Sequence, residues 1–282
     1  MGYRERCVAV GALAGLFSGF TGVGGGALLV GLMVSVQGME QRMAHGTSLT
    51  VILPTALFAA ISYLLQGLSG RFAFDAPLAL SVAPALAAPS LAGVIIGATW
   101  MSALPAAALR RAFGVFLAFV AFTMLTRGLL SIGAPTDMAV EVPFIFWILL
   151  GFVMGVFSGF LGIGGAMVII PFMTLGAGMP QHMAQGISLA VVALTTMVGT
   201  FTHRRLGNID GSVVLPMAPV SVVAAVVASL VAGQVDGFWL TKVCGVVMAY
   251  FAYQFTFGGA PVRRDTGAKS EPRNPTAGFY NI

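Results

Sequence analysis

Charge is what this sequence has least of. Asp, Glu, Lys and Arg make up 8% of its 282 residues, against about 25% in a soluble domain, and residues 142–203 contain none of them. So few charges cannot clothe a folded chain in a water-compatible surface, which excludes a soluble globular protein. Cysteine is nearly absent too. Cys7 and Cys244 stand alone in apolar surroundings, which reads as two buried thiols and excludes a disulfide framework. No metal ligand set and no cofactor are expected. Carboxylates are missing from every apolar block, whereas cation pumps and proton relays place them inside the membrane.

Hydrophobic residues fill the remainder, at 58% of the chain and a mean hydropathy of +0.95. The net charge of +5 is not a nucleic-acid footprint, because the basic residues stand singly or in pairs at segment ends, as in Arg110-Arg111, Arg204-Arg205 and Arg263-Arg264. Such residues read as topological anchors. Residues 259–282 are polar, rich in Pro, Gly and charge, and read as a disordered tail. The basic stretch Met1–Arg6 runs into an apolar segment that continues to Met39 without a polar mature chain behind it. It is expected to be an uncleaved first membrane segment rather than a signal peptide. Arg6 stands where a myristoylation signal needs Ser or Thr.

The chain repeats itself. Gly15-Leu-Phe-Ser-Gly-Phe-Thr-Gly-Val-Gly-Gly-Gly26 returns 140 positions later as Gly155-Val-Phe-Ser-Gly-Phe-Leu-Gly-Ile-Gly-Gly-Ala166, and the shift runs on without a gap to Leu49 and Leu189. About half of the aligned positions are identical, more than shared hydrophobicity explains. The expected organisation is a first transmembrane repeat over 1–130, a linker over 131–142, a second repeat over 143–258 and the tail. Apolar blocks fall near 7–36, 44–65, 76–101 and 108–130, then near 143–175, 183–203, 211–235 and 238–258. The fold class is therefore all-α and polytopic, with about eight hydrophobic blocks.

The first block of each half is too long for one crossing. As a single helix, Pro143–Leu175 would reach about 50 Å at 1.5 Å per residue, against a hydrocarbon core of about 30 Å. Gly159, Gly162, Gly164 and Gly165 interrupt it, so it is either kinked or folded into a re-entrant hairpin. A hairpin leaves three crossings per half and inverts the halves. Eleven of the fourteen Lys and Arg residues then lie on the side of the two termini, which makes that side cytoplasmic. Charge bias alone does not decide between eight crossings and two hairpins, and the hairpin is the favoured reading.

Paired interruptions of membrane helices point to a transporter's mid-depth site. Gly22, Gly24 and Gly25 match Gly162, Gly164 and Gly165. A helix resuming at Ala27 or Ala166 would turn free N–H groups and a positive dipole end towards the break, enough to hold an anion without a buried Lys or Arg. Isolated glycines such as Gly11, Gly93, Gly97 and Gly199 read instead as close helix packing. Ser18 and Ser158 precede the breaks, where they either bond a helical carbonyl or line the site. Gln41, His45 and Ser48 recur as Gln181, Gln185 and Ser188, with helix capping and ligand contact as the alternatives. His203, Arg204 and Arg205 form an interfacial anchor or an electropositive vestibule, and His45 or His203 could take part in coupling. A dinucleotide reading of Gly22–Gly31 fails for want of a βαβ context. An intramembrane serine enzyme using Ser18 and His45 is the non-transport alternative, and Gln185 in place of the histidine in the second half argues against it. No catalytic residue is assigned.

The doubled Gly-Phe-x-Gly-[Val/Ile]-Gly-Gly core, the Gly-x-Ser-Leu that follows each copy and the Gly207-Asn-Ile-Asp210 turn resemble the TauE/SafE sulfite exporter family, also called the 4-toluene sulfonate uptake permeases. The first half departs from the turn, with Gln66-Gly-Leu-Ser-Gly70. The resemblance implies a non-enzymatic permease that exports sulfite, sulfoacetate or other sulfonates through the inner membrane. The implied partners are a small anion, the bilayer and, as an assembly, a homodimer, with no nucleic acid. A cation-coupled uptake permease for a neutral or sulfur-containing solute is the alternative.

Overall fold

The structure is a computed structural model describing residues 2–100, 106–126, 142–161 and 165–257, and the regular elements among them are all helical. In the first half these are α1 (Tyr3–Thr21), α2 (Gly26–Gln37), α3 (Gln41–Leu68), α4 (Ala76–Trp100) and α5 (Ala106–Thr126). The second half holds α6 (Phe144–Leu161), α7 (Ala166–Pro171) running into a π-helical turn (Phe172–Gly176), α8 (Gln181–Arg205), α9 (Gly211–Ala232) and α10 (Gly237–Thr256). Residues 131–141 of the linker, the tail, Gly162 and Gly164 lie outside the described residues.

The first block of each half folds back on itself. Gly22, at φ 74°, ends α1 with its N–H donating to the Ser18 carbonyl. Gly24 and Gly25 follow at φ 80° and 68°. Left-handed backbone of this kind costs an L residue about 1–2 kcal/mol, and glycine nothing. The chain reverses there, and Gln37 at the end of α2 donates from Nε2 to Sγ of Cys7 near the start of α1, at 3.6 Å. In the second half Gly165, at φ 74°, opens α7, and the rings of Phe146 and Phe172 come within 5.9 Å. Each hairpin begins and ends on the same side, so neither first block is a crossing.

Glycine stripes join each hairpin to the other half. Gly11, Gly15 and Gly19 on α1 lie against Met217, Ser221 and Ala225 of α9, and Gly151 and Gly155 on α6 against Leu86 and Ser90 of α4. A methyl group on Gly11 would sit 2.7 Å from the Met217 carbonyl oxygen, so only glycine lets the two backbones approach so closely. The residue numbers rise together along both contacts, so each pair runs parallel.

At the centre α3 packs on α8 in the opposite sense. Gly46 lies beside His203, and Gly186 beside Tyr63. These contacts are mirror images, because His203 stands 140 positions after Tyr63 and Gly186 140 positions after Gly46. A pseudo-two-fold axis therefore passes between the middles of α3 and α8 and sets the halves in inverted orientation, an arrangement whose axis lies in the plane of the membrane. Four helical stretches among the described residues, Arg42–Leu68, Ala76–Gly97, Gln181–Arg205 and Gly211–Ala232, have the length and apolarity to cross a membrane. Large apolar side chains face outward, Leu80 at 75% and Leu215 at 79% exposure. That is the surface of a protein solvated by lipid.

Candidate functional site

The α1–α2 turn is held in the middle of the molecule. Gln185 of α8 is fully buried, and its Nε2 donates to the carbonyls of Phe20 (3.3 Å) and Thr21 (3.2 Å). Those carbonyls belong to the last turn of α1, which has no intrahelical donor to offer them. Cys244 of α10 adds a longer contact from Sγ to the Thr21 carbonyl at 3.7 Å, and Gln181 donates to the same sulfur at 3.5 Å. Tyr63 of α3 is buried and donates its hydroxyl to the Gly19 carbonyl at 2.8 Å. Gln185, a thiol and a phenol thus clasp the end of α1, and Gln181 braces the thiol.

Beyond that clasp the glycines reach the axis. A methyl group on Gly24 would lie 3.2 Å from Cγ1 of Val192 and 3.6 Å from Cγ2 of Ile52. Ile52 and Val192 are 140 positions apart, so the pseudo-two-fold exchanges them. A point touching both lies within a few ångströms of the axis, hence at mid-depth in the membrane. Gly22 packs on Gln185, and Gly25 against the Ala14 carbonyl and Ser18.

Polar side chains with few partners are buried on α1, α6 and α8, and Ser18 among them lies beside Gly25. Ser18, Ser158 and Ser188 are all fully buried, and among the described residues none of their hydroxyls has a hydrogen-bond partner. Oε1 of Gln185 is likewise buried without one. Such groups are uncommon in native interiors, and each costs about 1–3 kcal/mol. Ser48, the counterpart of Ser188, donates instead to the His45 carbonyl at 2.8 Å. Among the described residues no Lys, Arg, Asp or Glu joins this region: the charged residues of α8 are Arg204 and Arg205, exposed at its far end.

The residues singled out from the sequence thus fall into three groups. Gly22, Gly24, Gly25, Ser18, Gln181 and Gln185 are gathered at the α1–α2 turn. Gly165, Ser158, Ser188, Ser48 and His45 are buried on the elements of the second hairpin and its neighbours, while Gly162, Gly164 and the side chain of Gln41 lie outside the described residues. His203, Arg204 and Arg205 sit away from the first turn, at the end of α8. There His203 packs beside Gly46, and the Gly207–Asp210 turn closes on the start of α3. The Asp210 N–H donates to Oγ1 of Thr47 at 3.0 Å, and a side chain on Gly46 would strike the Asn208 carbonyl. Tyr63 and Cys244 carry no sequence signal for their roles. Tyr63 could have been found only by reading it as the counterpart of His203.

Comparison with known proteins agrees with this architecture. The family described as Sulfite exporter TauE/SafE matches residues 2–138 and 147–280. The chain is 44% identical over 63 residues to the probable membrane transporter protein YdhB of Bacillus subtilis, covering 22% of this chain and 26% of that one. It is 23% identical over 239 residues to the probable membrane transporter protein YunE of the same organism, 75% of this chain and 82% of the relative. A probable membrane transporter protein of Methanocaldococcus jannaschii is 27% identical over 209 residues, 72% of this chain and 73% of the relative. No solved structure gives a significant match. The family match spans both halves, glycine turns included, and the chain belongs to the sulfite exporter TauE/SafE family of multi-pass membrane transporters.

Proposed function

We propose that this transporter is a secondary permease that exports small sulfur-containing or organic anions, of the class of sulfite, sulfoacetate and other sulfonates, across the inner membrane. The observation that carries the reading is a glycine turn near the pseudo-two-fold axis with the buried Ser18 beside it, whose hydroxyl has no partner among the described residues. A hydroxyl can donate to an anion oxygen. The start of α2 adds backbone N–H groups and the positive end of a helix dipole. The site would then hold one negative charge by dipoles, weakly enough to release it. The Lys and Arg distribution supports a cytoplasmic placement of both termini. Movement of one part of each repeat against the other would expose the turns alternately to the two faces.

The test is flux of radiolabelled sulfite through proteoliposomes containing Gly24→Val. At φ 80° and with Val192 at 3.2 Å, the valine would displace the turn from the axis. Flux should vanish while the protein still reaches the membrane, and unchanged flux would remove the turn from the site.

A further inference from the structure

We propose that His203 is a proton-dependent anion subsite, in which the imidazolium supplies the one positive charge of the transport path on the side of the termini. The inference rests on the anion reading above and adds a residue and a pH dependence to it. His203 is fully buried in the last turn of α8, yet neither Nδ1 nor Nε2 has a hydrogen-bond partner among the described residues. A neutral imidazole has one donor and one acceptor to satisfy, and an imidazolium has two donors. Leaving both nitrogens unmatched in the interior is unfavourable in either state, which suits the ring to a bound ligand.

Comparison with the other half sharpens this. At the mirror position stands Tyr63, whose hydroxyl is spoken for by the Gly19 carbonyl. His182, the other histidine of α8, bonds through Nε2 to the carbonyls of Ala232 and Val235 at 3.1 and 3.0 Å. Only His203 has both ring nitrogens to spare.

The surroundings decide the kind of ligand. From α3 the titratable groups on this side are His45, next to the Gly46 on which His203 packs, and Glu40 and Arg42 at the helix start. The turn after α8 brings Asp210, whose Oδ1 is engaged by the N–H and hydroxyl of Ser212. Arg204 and Arg205 point outward. Neither α4 nor α6 contains an ionisable residue. With no carboxylate in contact among the described residues, a charged imidazolium would need its counter-charge from a bound oxyanion, which accepts from one of its N–H groups. Anion binding and protonation then assist one another, and the sign follows: affinity is highest at low pH and falls as His203 loses its proton.

The experiment measures methanesulfonate binding to the purified full-length protein by calorimetry from about pH 5.5 to 8, because this anion does not itself titrate there. Wild type should lose affinity by up to about tenfold per pH unit above the imidazole midpoint, the limit for one linked proton. Repeating the titration in buffers of different ionisation enthalpy should show proton uptake on binding. His203→Gln should bind more weakly at low pH and vary by less than about twofold over the range, while His182→Gln keeps the wild-type slope. A flat wild-type profile, or one unchanged in His203→Gln, overturns the role of His203 and leaves the anion site standing. Absence of binding by methanesulfonate, sulfite and sulfoacetate alike overturns both.

Discussion

Gly22→Ala tests how the first hairpin is held, and Gly38→Ala is its natural control. Both glycines have left-handed backbone, φ 74° and 67°, and both end a helix of the same hairpin. An alanine at either position carries the conformational cost of about 1–2 kcal/mol. At Gly38 nothing lies within 4 Å of the added methyl, so the cost ends there. At Gly22 the methyl would fall 2.6 Å from Cγ, 2.7 Å from Cβ and 2.9 Å from Cα of Gln185. The last of these is backbone, so the helix must move with the side chain. Displacing Gln185 breaks its bonds to the Phe20 and Thr21 carbonyls, each contributing about 1 kcal/mol. The expected cost at Gly22 is about 3–4 kcal/mol, roughly 2 more than at Gly38. Thermal denaturation in one detergent, with anion flux from matched membrane preparations, measures both consequences. Gly38→Ala should melt slightly below wild type and transport, whereas Gly22→Ala should melt lower still and lose flux. Equal melting and equal flux in the two variants would refute the clasp.

Other consequences are equally direct. Ser18→Ala, Ser158→Ala and Ser188→Ala each remove a buried hydroxyl that has no partner among the described residues. Stability should hold or rise by up to about 1 kcal/mol while KM for the anion increases severalfold, and a loss of stability with unchanged KM would make these hydroxyls structural. Tyr63→Phe deletes the bond to the Gly19 carbonyl and should lower stability by about 1 kcal/mol, read as a small fall in melting temperature. Arg71 and Leu206 are exposed at opposite ends of the bundle, whereas both natural thiols are buried. An impermeant maleimide applied to intact cells should therefore label Arg71→Cys and spare Leu206→Cys; labelling of both from outside would contradict the inverted arrangement.

The hairpins were legible in the sequence because length and glycine spacing are local properties: a block that would extend about 50 Å as one helix and is cut by glycines has few ways to fit a bilayer. The packing role of Gly11 was legible as close approach to a neighbouring helix. The partners of such glycines were not, because they meet carbonyls of helices some 200 and 65 positions away in the chain, and nothing in a packing glycine names the helix it touches. The departure of Gln185 from His45 argued against a catalytic pair, but its positive role required geometry: a side-chain amide that closes the open carbonyls at the end of α1. Cys244 reads correctly as a buried thiol, yet its place beside Thr21 and Gln185 arises only from the packing of α10 on the clasp. Pro171 stands opposite Gly31 in the repeat alignment, and there the described parts of the hairpins differ, α2 being continuous to Gln37 while α7 passes into a π turn after Pro171. A proline N cannot donate to the helix ladder.

The central claim is that small anions cross this protein at the glycine turns, and counterflow tests it without assuming a driving force. Proteoliposomes loaded with unlabelled sulfite should draw in labelled sulfite transiently, and external sulfoacetate should compete while a neutral sulfone of similar size should not. Counterflow absent for every anion tried, or blocked equally by the neutral sulfone, would contradict the account.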